Sequence, residues 1–224
     1  MTDFALLPAV EIETAPSPEA AVLFLHGLGD DGHGWSDVVP ALKLPPALRV
    51  RFVFPHAPER AVTINGGYVM PAWYDVLDAD FRSRADIAGV RTSQTHIEHL
   101  IARERHRGIP ASRVILGGFS QGGAVALYAG LRHKEKLAGI AALSAYLVDP
   151  DALADEATSA NRRTPVFMAH GRDDDVVRYE WGERSRALLE AAGWQVEWHE
   201  YPMPHSAVLE EIEDLGRFIA RTLA

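Results

Sequence analysis

The stretch RVILGGFSQGGAVALYAG, residues 113–130, carries two periodicities back to back. Arg113 to Leu116 is a short apolar run of strand character, and Ala124 to Gly130 is the body of a helix built from small residues. Between them stands Gly118-Phe119-Ser120-Gln121-Gly122, a serine with glycine two positions to either side. A strand that turns abruptly into a helix strains its turn residue and lifts that side chain clear of the sheet. Strand and helix then approach so closely that a Cβ at 118 or 122 would clash, so glycine is predicted at both. Gly117 and Gly123 loosen the same crowding. The helix also aims its first N–H groups back at Ser120, where a developing negative charge could be held. A glycine-rich turn with an incidental serine has the same five letters, so the reading depends on partners elsewhere in the chain.

Outward from this stretch, strands alternate with helices. Pro8 to Thr14 alternates loosely and reads as an edge strand closed by Pro16-Ser17-Pro18. Ala21 to Leu25 is an unbroken apolar run, the pattern of a strand buried on both faces. It ends in the glycine-rich loop His26-Gly27-Leu28-Gly29-Asp30-Asp31-Gly32, followed by a predicted helix over 35–42 and a strand over 49–54. Residues 55–84 have little periodicity and read as a lid or pocket wall, in which Val69, Met70, Trp73 and Tyr74 are candidate lining for an acyl pocket or padding on the body. Residues 86–107 carry Ile87, Val90, Ile97, Leu100 and Ile101 at helical spacing and stop at Gly108 and Pro110. Beyond the serine turn come strands over 137–143, 165–169 and 194–201, a polar helix-and-loop segment over 149–161, and helices over 178–192 and 207–223. This order predicts an α/β fold: one domain over 1–224, a mostly parallel sheet with helices on both faces, and functional loops at the carboxyl ends of the strands.

Composition narrows the function. The chain has no cysteine, so disulfides, thiolate metal sites and a cysteine nucleophile are excluded. With 22 Lys and Arg against 31 Asp and Glu, the formal charge of −9 argues against a nucleic-acid partner. The first residues show no basic-then-apolar leader and no 18-residue apolar run exists. The expectation is a cytoplasmic protein with no membrane span.

A serine hydroxyl needs a base to take its proton, and the base needs an orienting group. Of ten histidines, His96, His99, His106 and His133 fall among charged helical residues and read as solvated. His199 lies in a strand pattern, and His56 follows a strand and reads as structural. His205 differs. It follows the strand ending near Tyr201 and a rigid Pro-Met-Pro segment, on the rim where Ser120 should emerge. For the acid, the strand over 165–169 runs into Asp173-Asp174-Asp175, between the serine and the late histidine in chain order, as in the α/β-hydrolase architecture. Spacing does not choose among the three aspartates. An oxyanion requires fixed N–H donors. The amide of Gln121 is one, and the loop after the first buried strand supplies the second, assigned to Leu28.

These segments resemble a known family. LFLHGLGDDG (23–32), FPHAPERAVTINGG with MPAWYD (54–67 and 70–75), GGFSQGG (117–123), HGRDDDVV (170–177) and PHS (204–206) are similar to the small carboxylesterases grouped with acyl-protein thioesterases and lysophospholipases. The resemblance implies an α/β-hydrolase with little or no cap domain, and hydrolysis of esters or acyl thioesters without cofactor or metal. It places the nucleophile at Ser120, the base at His205 and the acid at Asp174, four residues after His170. The family commonly has proline after that aspartate, where Asp175 stands here. Because members often dimerise, the resemblance also implies a homodimer. The expected activity is a carboxylesterase acting on short-to-medium acyl chains of a small-molecule or lipid-like substrate, with an acyl thioesterase or lysophospholipase as the alternative. A peptidase or C–C hydrolase on the same scaffold, a metal hydrolase using His26, His170 and the aspartate triplet 173–175, and a non-catalytic binding protein are the remaining readings.

Overall fold

The computed structural model describes residues 6–78 and 85–224. Its strands, in chain order, are β1 (Ala9–Glu13), β2 (Ala20–Leu25), β3 (Val50–Pro55), β4 (Glu59–Val62), β5 (Tyr68–Pro71), β6 (Val114–Phe119), β7 (Gly139–Leu143), β8 (Val166–Gly171) and β9 (Val196–Tyr201). Seven of them make one sheet in the order β1-β3-β2-β6-β7-β8-β9, with β1 antiparallel at the edge and every other pairing parallel. The helices are α1 (His33–Ser36), α2 (Ile87–His106), α3 (Gln121–Arg132), α4 (Leu153–Glu156), α5 (Tyr179–Ala191) and α6 (Leu209–Leu223).

The unbroken apolar runs divide between two cores because successive side chains point to opposite faces. In β2, Ala21, Leu23 and Leu25 join the core beneath α2, α3 and α5, whereas Ala20, Val22 and Phe24 join the core beneath α1 and α6. Each Val, Leu or Phe side chain so enclosed contributes roughly 1.5–3 kcal/mol. The second core depends on α6, whose Ile212, Leu215, Phe218 and Ile219 recur at helical spacing.

Chain reversal positions the site. From β2 the next strand is added on one side, at β3, and the chain then crosses to the other side, at β6. Loops leaving β2 and β6 therefore splay apart and open a crevice at the carboxyl edge.

Three expectations are corrected. The predicted helix over 35–42 is split into α1 and a short 3₁₀ turn over Val39–Leu42, because Pro40 has no N–H to continue the first turn. The stretch over 55–84 contains a two-stranded hairpin, β4 with β5, which its loose alternation did not announce; its residues 79–84 lie outside the described residues. His133 is not solvated. It is buried just past the end of α3, and its Nδ1 lies 2.7 Å from Glu98 Oε2 on α2.

Two buried carboxyl groups carry measurable consequences. Glu104 on α2 is fully buried and accepts from Arg51 (2.6 Å), Arg103 (3.1 Å) and Arg107 (3.0 Å), while Arg51 also holds Glu13 of the edge strand at 2.9 Å. Glu104→Ala leaves the buried Arg51 guanidinium without its nearest counter-charge, and urea unfolding is expected to show a loss of about 3–5 kcal/mol. Glu211, in the first turn of α6, is fully buried, and among the described residues neither carboxylate oxygen has a hydrogen-bond partner of ordinary geometry. Burial pushes its pKa up to about 8, from the ordinary 4.5. The unfolded chain releases this proton near pH 4.5 and the folded chain keeps it until about pH 8, so stability falls as pH rises across that interval. Glu211→Gln removes the effect: its unfolding free energy, read from urea titrations at each pH, is expected to match wild type near pH 4.5 and to exceed it increasingly up to pH 8, by on the order of a few kcal/mol.

Candidate active site

Ser120 occupies the turn between β6 and α3 with φ 54° and ψ −121°, a left-handed conformation that a non-glycine residue rarely adopts. The surroundings enforce it. A Cβ on Gly122 would stand 2.2 Å from the Leu25 carbonyl oxygen, and one on Gly118 would stand 2.5 Å from the Gly122 carbonyl carbon. Strand β2, strand β6 and helix α3 thus meet at backbone contact, as the glycine spacing requires. The Ser120 amide donates to Leu143 O at 2.8 Å, tying the turn to β7.

Three loops from three strands converge here. Ser120 Oγ lies 2.9 Å from His205 Nε2, in the loop after β9. His205 Nδ1 lies 2.7 Å from Asp174 Oδ2, in the loop after β8. An imidazole facing a carboxylate through Nδ1 carries its proton there, which leaves Nε2 free to accept from the serine hydroxyl. Phe119 packs on the His205 ring at 4.8 Å between centroids. Asp174 is buried, and its Oδ1 accepts from the amides of Val176 (3.0 Å) and Val177 (2.9 Å). Its neighbours Asp173 and Asp175 are exposed, so one aspartate of the triplet meets the histidine.

Leu28 and Gln121 line the same cavity, and among the described residues the amide of neither donates to a protein acceptor. The segments bearing them are fastened by side-chain bonds of residues that the sequence marks out for other roles or none. The Gln121 side chain accepts from Trp73 N and donates to Tyr74 O, both at 2.8 Å. The Trp73 indole donates to His26 O at 2.9 Å, and Ser93 Oγ donates to Trp73 O. His26 Nε2 accepts from Ala57 N at 3.0 Å, so its Nδ1 carries the proton donated to Gly27 O at 2.7 Å. Burial holds His26 below the usual imidazole range and keeps it neutral. Apart from the bond to Gly27, each link joins a side chain to backbone 20 or more residues away, and no local pattern announces such a pairing.

A cavity of about 290 Å³ opens beside Ser120, walled chiefly by Trp35, Val76, Phe119, Tyr146, Val176 and Val177. Of the four lining candidates, Tyr74 is in this wall. Trp73 is fully buried behind it, Val69 is 55% exposed on the hairpin, and Met70 packs beside Gly29 outside the lining. The hairpin stands apart from the sheet, so its alternating faces do not turn inward on the cavity. Among the described residues no group of three or more His, Asp or Glu side chains could hold a metal ion, and no helix is long and apolar enough to cross a membrane.

A parallel sheet with a strained serine at its central strand-to-helix turn and an imidazole from a late loop defines an α/β-hydrolase. The chain belongs to the phospholipase/carboxylesterase family, whose model matches residues 8–223. Acyl-protein thioesterase 1 of Neurospora crassa is 43% identical, over 100% of this chain and 95% of that protein. Among solved structures, Zea mays acyl-protein thioesterase 2 superposes with a TM-score of 0.84 at 30% identity, covering 97% of this chain and 100% of that one. Arabidopsis thaliana SOBER1 gives 0.86 at 31% identity, over 92% and 99%.

Proposed function

We propose that this chain is an acyl thioesterase that also cleaves carboxylic esters, through an acyl-enzyme on Ser120. The observation that carries the reading is the hydrogen-bonded series Ser120 Oγ, His205 and Asp174, at 2.9 and 2.7 Å, beside a cavity with a largely apolar wall. In the first step His205 Nε2 takes the hydroxyl proton while Oγ attacks the acyl carbonyl carbon. The amides of Leu28 and Gln121 hold the oxyanion, and His205 Nε2–H gives its proton to the departing thiol or alcohol. In the second step water gives a proton to the same nitrogen and attacks the acyl carbon; the C–Oγ bond then breaks, Nε2–H returns its proton to Oγ, and the carboxylic acid leaves. Asp174 keeps the imidazole in the working tautomer and stabilises its charged form.

The family alone leaves a carboxylesterase and a thioesterase open. A relative called acyl-protein thioesterase 1, 43% identical across this whole chain, moves the emphasis from the ester to the thioester. A thiolate also leaves more readily than an alkoxide, so an enzyme of this design handles both. The test is a panel of S-acyl and O-acyl substrates of graded chain length. Higher kcat/KM for thioesters at matched acyl length is the expected result; consistent preference for the oxygen ester at every length returns the reading to a carboxylesterase.

A further inference from the structure

His170 takes no part in the steps above, yet it is fully buried within 3.5 Å of the acid of the series. It is the penultimate residue of β8, and its Nε2 lies 2.8 Å from the Val177 carbonyl oxygen. A carbonyl only accepts, so Nε2 carries a proton. Among the described residues Nδ1 has no hydrogen-bond partner. Helix α5 closes that side: a Cβ on Gly182 would stand 2.4 Å from Nδ1, so the ring packs directly against the helix backbone where glycine leaves space for it. The edge of Tyr179 and the face of Trp198 flank it at 6.0 and 6.3 Å between centroids.

These contacts form a closed circuit. The amides of Val176 and Val177 donate to Asp174 Oδ1, the Val177 carbonyl accepts from His170, and the same His170 N–H lies 3.5 Å from Asp174 Oδ2. Oδ2 is the oxygen that receives His205 Nδ1–H. The charged and titratable groups around His170 are Asp174, His205 and Glu180, and burial holds the ring below the usual imidazole range, hence neutral. A neutral donor there fixes the carboxylate without cancelling its charge, which is what the imidazolium at 205 requires.

Resting on the hydrolase reading, we propose that His170 is a positioning residue: through Val177 and Asp174 it holds Oδ2 on the His205 N–H, and its Nε2–H is the part that matters. His170→Phe keeps a planar ring and loses the donor. His170→Gln places an amide N–H near the former Nε2.

The experiment measures two things on the full chain: kcat and KM normalised to sites labelled by a fluorophosphonate, and the far-downfield proton resonance of His205 Nδ1–H, assigned by its loss in Asp174→Asn. His170→Phe is expected to lower kcat by roughly 10- to 100-fold, as loss of outer-shell partners does elsewhere, with KM nearly unchanged and the resonance weakened or shifted. His170→Gln is expected to restore both. Wild-type kcat per labelled site with the resonance unmoved in His170→Phe overturns the proposal, as does failure of His170→Gln to restore either readout. Should His170→Phe not fold, Gly182→Ala decides, since its methyl group must displace the ring: an unchanged resonance and kcat there overturn the proposal. The resonance needs no substrate, so it judges His170 even if the hydrolase reading fails for want of turnover.

Discussion

Replacing Ser120 with alanine is expected to lower kcat for an acyl thioester by about 10⁴–10⁶-fold, with the fold retained. The effect is large because the removed oxygen is the atom that bonds to the acyl carbon; His205 and Asp174 are then left with no hydroxyl to activate. What survives is hydrolysis by water in the cavity, assisted by the Leu28 and Gln121 amides. The fold should survive because the side chain is small and the strained φ of 54° is imposed by the backbone contacts at Gly118 and Gly122, which the substitution leaves in place. Circular dichroism and thermal melting on the same sample used for kinetics check both halves. Turnover near the wild-type rate in the folded variant contradicts the nucleophile.

Asp174→Asn is expected to cost about 10⁴-fold in kcat, near neutral pH, with little change in secondary structure. Asparagine can still offer Oδ1 to the Val176 and Val177 amides, so the turn that depends on them persists. At the other position an amide replaces the carboxylate oxygen 2.7 Å from His205 Nδ1. An N–H facing an N–H is repulsive, so the imidazole shifts its proton to Nε2 and can no longer accept from Ser120. Asp173→Asn and Asp175→Asn alter exposed side chains and are expected to stay within a few-fold of wild type. Equal losses at all three positions would mean that the acidic loop acts by its net charge rather than through one oriented carboxylate.

Much of this arrangement was legible in the letters, for identifiable reasons. Buried parallel strands advertise themselves as apolar runs, and the glycines at 118 and 122 record a close approach that only a missing Cβ permits. Chain order then brought Ser120, His205 and the aspartate triplet to one rim. The choice of Asp174 was not available from spacing and came from resemblance, because three adjacent aspartates differ only in which way the turn points each side chain. The pocket wall was mostly missed. Val76, Tyr146 and Val177 come from different loops, and their common destination depends on how those loops pack. Val69 and Met70 were drawn in by being apolar and near in sequence, whereas the hairpin carries them outside. His26 and His170 lay in plain view beside their glycines, yet their partners are backbone atoms, which no residue pattern specifies.

The most direct test is to mix the enzyme with a slowly hydrolysed acyl thioester, quench in acid within the first turnover, and locate the added acyl mass by tandem mass spectrometry. The predicted result is one acylated site, at Ser120, that forms at the rate of thiol release and decays at the steady-state rate. Acylation at any other residue, or thiol release with Ser120 never acylated, contradicts the account.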